Sequence, residues 1–109
     1  MTHWDILSTQ DAELNNKIQA WRNHINDSKL LDRKYKELIM VSNACILRFA
    51  EGVRSHAKFA TDHGATKEEI LAAIEQSFFM GGIPAFREGM LVFYELFGAE
   101  IDSHSNPKK

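Results

Sequence analysis

The stretch CILRFAEGVRSH, residues 45–56, gathers the residue types that could do chemistry: the chain's single cysteine, a glutamate, a histidine and two arginines. Cys45, Phe49, Gly52 and His56 follow one another at i, i+4, i+7 and i+11, which places them on one stripe if the stretch is helical. An imidazole at His56 can take or give a proton near neutral pH, as proton transfer to a carbanion or enolate requires. The alternative is a histidine that caps a helix or bonds across a core. Glu51 could be a second proton carrier, but five residues of helix turn through about 500° and leave it about 140° from His56. That favours a surface position unless Gly52 bends the chain. Glu37 lies nineteen residues before His56, so the two can meet only through tertiary packing. Beside Lys34 and Lys36 it also reads as a solvated glutamate. Cys45, among Ala44, Ile46 and Leu47 with Arg48 the one nearby cation, reads as a small buried hydrophobe before it reads as a nucleophile.

These residues must be held by helices. Only two prolines occur, Pro84 and Pro107, and no segment sustains strand alternation. Ser8 or Thr9 is a candidate cap for a helix carrying Ala12, Leu14, Ile18, Trp21 and Ile25. Asp27, Ser28 or Asp32 could open the next, along which Leu38, Val41, Cys45 and Phe49 recur at helical spacing. Val53, His56, Ala57 and Ala60 share one side of a following segment that Gly64 stops, with His63 as a cation at its end and Gly52 as a kink. Thr66-Lys67-Glu68-Glu69 is a capping box, with Ile70, Ile74, Ser77 and Phe78 on the inner face beyond it. Gly81-Gly82 ends that helix, and Pro84 stands in the first turn of a last one, which carries Phe86, Met90, Phe93 and Phe97 and which Gly98 can stop. The sequence therefore predicts an all-α bundle of five or six helices. One domain is expected over 1–102, with a disordered tail over 103–109. In the last helix Leu91, Val92, Tyr94 and Leu96 make nearly every side apolar, so one face is expected to pack on another subunit. Trp4 and Trp21 read as hydrophobic anchors.

Composition excludes several classes. With a net charge of −2 and a pI near 6.2, nothing draws the chain generally to nucleic acid or anionic membranes. No apolar run is long enough for a membrane span, and the N-terminus turns polar too early for a secretory signal. One cysteine cannot form an intramolecular disulfide, which fits a cytoplasmic protein. His3, His24 and His104 make no ligand pattern with acidic residues, so no metal is expected.

KELIMVSNA (36–44), VRSHAKFATDHGATKEEILAAIEQSFFMGGIPA (53–85) and the helix after them resemble, in order and spacing, the carboxymuconolactone decarboxylase and alkylhydroperoxidase D superfamily. The likeness covers roughly residues 30–97 and implies an all-α fold assembled as a trimer or hexamer. The peroxidase branch uses a Glu, a Cys-x-x-Cys pair and a His, with the Glu nineteen and the cysteines seven and four residues before the His. Glu37 and His56 keep that separation, but Phe49 and Gly52 stand at the cysteine positions. Disulfide chemistry needs an attacking and a resolving thiol, so the departure argues against it. Cys45, one turn earlier, leaves only a one-cysteine peroxidase. For the decarboxylase branch the resemblance implies cofactor-free acid–base work on a lactone or small carboxylate. His56 would be the proton carrier, Glu37 its orienting partner and Glu51 a looser match to the acidic residue before the histidine. Arg48, Arg54 and Arg87 would be candidates to anchor a carboxylate, with Phe49 lining the substrate. A non-catalytic oligomeric binding protein with a decayed site is the third reading.

Overall fold

In the computed structural model, which describes residues 1–104, the chain is helical throughout and contains no strand among the described residues. Six helices follow in order: α1 (His3–Gln10), α2 (Ala12–Asn26), α3 (Arg33–Ile46), α4 (Ala50–Asp62), α5 (Lys67–Gln76) and α6 (Phe78–His104). Set against the single domain expected over 1–102, the chain divides into two compact units, one from Met1 to Leu31 and the other from Asp32 onward.

The first unit is a pair of helices packed on one another, with no side chain buried in either. Its start is not at Ser8 or Thr9. Thr2 caps α1 in a capping box with Asp5, and Asp11 caps α2 by accepting from the Leu14 amide at 3.0 Å. The Ser8 and Thr9 hydroxyls instead donate back to the Asp5 and Ile6 carbonyls within α1. Trp4 is half-buried beneath the Arg22 guanidinium, whereas Trp21, read as an anchor, is exposed.

The second unit holds the core. Val41, Ala44 and Cys45 of α3 meet Val53, Ala57 and Ala60 of α4, Ile70 and Ile74 of α5, and Ala85, Val92 and Phe93 of α6. Helices α3 and α4 both end in Schellman motifs. At the end of α4 the Ala65 and Gly64 amides return to the Ala60 and Thr61 carbonyls, with Gly64 at a φ of 96°, as its position suggested. At the end of α3 the Phe49 and Arg48 amides return to Ala44 and Cys45 in the same pattern. There the left-handed residue is Arg48, at a φ of 56°, where glycine would be expected. The break between α3 and α4 thus falls at Leu47–Phe49, and Gly52 sits unkinked inside α4.

The capping box at Thr66 forms as the sequence indicates, with Glu69 and Thr66 bonded both ways at 3.0 Å. Gly82 breaks the backbone, at a φ of 70° and a ψ of -167°, and Pro84 stands just beyond it. Gly98 does not stop α6. Helix runs through it to His104, and a Cβ there would lie 3.2 Å from the Tyr94 ring, which covers the glycine. Ser103 and His104, expected in the tail, are therefore helical, and 105–109 lie outside the described residues. Of the residues that make the last helix apolar nearly all round, Val92 is buried, while Leu91, Tyr94 and Leu96 are exposed.

Candidate active site

The α3–α4 pairing brings Glu37 to His56. Glu37 Oε1 lies 2.7 Å from His56 Nδ1, and Arg33 Nε donates to Glu37 Oε2 at 2.5 Å. Arg33 and Glu37 are one helical turn apart on α3, so their contact follows from local geometry. His56 is presented from α4, whose Val53, Ala57 and Ala60 are locked in the core on either side of it. The three side chains thus form a line that begins at a half-exposed guanidinium, passes through a buried carboxylate and ends at an imidazole.

Glu37 is 6% exposed, and a carboxylate removed from water needs partners for its oxygens. Burial pushes its carboxyl upward, but hydrogen bonds from His56 and Arg33, reinforced by their charge, outweigh burial and hold it below the usual glutamate value. Glu37 is therefore ionised at neutral pH and can only accept. His56 Nδ1 must carry the proton between them, and a neutral ring then keeps its lone pair on Nε2. Nε2 has no hydrogen-bond partner among the described residues. The side chain is 27% exposed, so the ring is neither sealed in the core nor free in solvent. The Phe59 ring meets it edge-on, with centroids 5.8 Å apart, and restricts it from one side. His63, by contrast, caps the end of α4 with its ring bonded to the Phe59 carbonyl at 2.8 Å.

The remaining candidates stand apart from this line. Glu51 is exposed and pairs with Arg54, not with His56. Arg54 reaches from α4 to α6, with Nε 2.9 Å from Glu95 Oε2 and Nη2 3.2 Å from Oε1. Two carboxylates of its own chain already hold it, which removes the free guanidinium that a substrate anchor needs. Arg48 and Arg87 are exposed and have no ion pair among the described residues, and no hydrogen bond joins either to Glu37 or His56. Arg33, the cation that does touch the site, was not among the residues singled out from the sequence. Its signal was the i, i+4 spacing to Glu37, overshadowed by the nearer Lys34 and Lys36. Lys34 in fact binds Glu69 across to α5 at 3.1 Å.

No thiol is near the imidazole. The Phe49 ring, half-exposed, lies against the α-carbon of Gly52, where an added Cβ would come within 2.5 Å of Phe49 Cδ2. The ring fills the space a second side chain would need. Cys45 is fully buried, and its sulfur packs against Gly89 of α6. Burial pushes its thiol up to about 11; a hydrogen bond with Ser77 opposes this, and the charge of Glu88 adds to it. A thiol so placed is protonated at neutral pH and out of reach of peroxide, so Cys45 is a packing residue. Among the described residues no group of three His, Cys, Asp or Glu side chains is arranged to hold a metal ion, and no helix is long and apolar enough to cross a membrane.

No curated protein and no solved structure shows a significant match to the chain. The Carboxymuconolactone decarboxylase family model matches residues 12–95, a span that includes Arg33, Glu37, Phe49, Gly52 and His56. The chain belongs to the carboxymuconolactone decarboxylase family.

Proposed function

We propose that the protein is a cofactor-free acid–base enzyme that moves a proton on a lactone or another small carboxylate. The observation that carries this reading is the partly exposed His56 with Nδ1 tied to an ionised, buried Glu37. Nε2 is the general base that takes a proton from a carbon beside a carbonyl. Once protonated, it is the acid that returns the proton to the carbanion or enolate. Glu37 orients the ring and stabilises the imidazolium formed in between. Glu51 takes no part. Arg87 stays a candidate for the substrate carboxylate, Arg54 being committed to Glu95 and Glu51, and Phe49 lines the approach with its exposed edge. A thiol peroxidase has no support in the geometry, because the thiol-pair positions hold a packed Phe49 and Gly52.

The same reading makes the protein a cytoplasmic homo-oligomer, a trimer or hexamer. Association is supported by the large apolar side chains left exposed on α6, among them Phe79, Met80, Ile83, Leu91 and Tyr94; the subunit number is what the family resemblance implies. Sedimentation of the purified chain tests the assembly, and a monomer at micromolar concentration refutes it.

The activity is tested by incubating small lactones and keto acids with the protein in deuterated water and following deuterium uptake at carbon by NMR. His56→Gln should lower exchange by about 10²-fold or more, the usual contribution of a general base. Exchange that survives His56→Gln unchanged refutes the assignment.

A further inference from the structure

We infer that Arg33 is a positioning residue of this site, holding the second oxygen of Glu37 so that the first accepts from His56 Nδ1–H and Nε2 faces a ligand. The inference deepens the proton-transfer reading and rests on it for its functional meaning. Glu37 is buried, and among the described residues its two oxygens have one partner each, His56 at 2.7 Å and Arg33 at 2.5 Å. Lys34 of the same helix is spent on Glu69, and Arg54 of α4 on Glu51 and Glu95. Arg33 is thus the permanent positive charge in contact with the carboxylate.

Removing Arg33 leaves Oε2 buried without a donor, and burial then favours the protonated acid. Glu37 then takes up a proton from solvent, and as a neutral acid it can donate. His56 Nδ1 could then accept from Glu37, and the ring proton would move to Nε2, turning the outward nitrogen from a lone pair into a donor. A base would become a group unable to take a proton. The two states differ by one proton taken from solvent and by which ring nitrogen carries hydrogen, with no heavy atom displaced, so fold and packing can survive the substitution. The Arg33 side chain is 42% exposed, in the first turn of α3, and its loss opens no cavity in the core.

The experiment is ¹⁵N–¹H NMR of the His56 ring in the full chain, without substrate, at a pH where the imidazole is neutral. Wild type, Arg33→Met and Arg33→Lys are compared. Wild type should show the proton on Nδ1. Arg33→Met should shift the tautomer ratio toward Nε2–H on the order of tenfold, the scale of a lost hydrogen bond to a charged group. Arg33→Lys keeps a cation within reach and should restore most of the wild-type ratio. A ratio in Arg33→Met within about twofold of wild type, on a folded protein with an unchanged backbone amide spectrum, overturns the inference. Because no substrate is present, the two failures separate. An unchanged tautomer sinks the role of Arg33 and leaves the activity standing, whereas absent proton exchange sinks the activity and leaves the tautomer result intact.

Discussion

A methyl group placed on Gly52 would test whether the Phe49 ring truly occupies the position where the family resemblance puts a second thiol. In Gly52→Ala the new Cβ lies 2.5 and 2.9 Å from two ring carbons of Phe49 and 3.2 Å from the Ala44 methyl. Two effects compete. Alanine is favoured over glycine inside a helix by about 1 kcal/mol. Forcing an extra carbon into a filled space costs about 1–3 kcal/mol. With the ring in place the second should win, and Gly52→Ala should destabilise the protein by up to about 2 kcal/mol. In a Phe49→Ala background only the Ala44 contact remains, which needs a few tenths of an ångström of give. There the same substitution should stabilise by about 0.5–1 kcal/mol. The double-mutant cycle should therefore show a coupling of about 1–3 kcal/mol and a reversal of sign. Urea unfolding followed by helical circular dichroism measures it, at one fixed protein concentration because assembly adds to apparent stability. If Gly52→Ala has the same sign and size in both backgrounds, the ring does not fill the site. Phe49 would then not be what keeps a second thiol from this position.

Three further outcomes follow from the same geometry. Arg48→Gly should stabilise the fold by about 0.5–1 kcal/mol, because relief of a left-handed arginine outweighs the entropy glycine adds to the unfolded chain, and denaturant midpoints read it directly. Cys45 should resist an aromatic disulfide reagent in the native protein at about pH 7–8 and react fully once unfolded; labelling of the native state faster than global unfolding contradicts its burial. Glu37 has its folded value below the ordinary 4.5, so it contributes stability above that value which is lost as pH falls through the depressed one. Wild type should therefore lose stability more steeply than Glu37→Gln on acidification below about pH 4.5, and parallel curves would deny the ion-paired state of Glu37.

Local signals read well from the sequence because their causes are local. Thr66 and Glu69 cap α5 within one turn, Gly64 supplies the left-handed residue that closes α4, and Pro84 starts a helix after the Gly82 break. The misreadings arise where packing overrides composition. Gly98 stays helical because the Tyr94 ring lies over it. Arg48 takes a glycine's conformation because the two returning hydrogen bonds, from the Phe49 and Arg48 amides to Ala44 and Cys45, complete the motif without one. Ser8 and Thr9 look like caps, but α1 begins earlier and absorbs them. The site divides in the same way. Arg33 with Glu37 was readable from i, i+4 spacing, while Glu37 with His56 depends on how α3 lies against α4. No periodicity in the sequence states that, and only the resemblance to a family with this separation pointed to it.

The two polar groups buried in α3 differ in a way that bears on what the helix pair does. Cys45 is buried as a neutral thiol, at a position where a small hydrophobe would serve equally. Glu37 is buried as an anion, and that is costly: replacing a buried charged network by apolar side chains of similar size is often neutral or stabilising. A bundle selected only for packing would gain nothing by keeping Arg33, Glu37 and His56 in line. The arrangement does deliver one thing that an apolar substitute cannot. It holds an imidazole at the boundary of core and solvent, in one orientation and one tautomer, with a charge behind it ready to stabilise imidazolium. Surface pairs such as Arg54 with Glu95 and Glu51 carry no such implication, since they lie in water and cost little to keep. The placement of charge therefore separates the candidate site from the scaffold: where the ionised group is buried, the fold bears a cost that the proposed proton transfer at His56 Nε2 would account for.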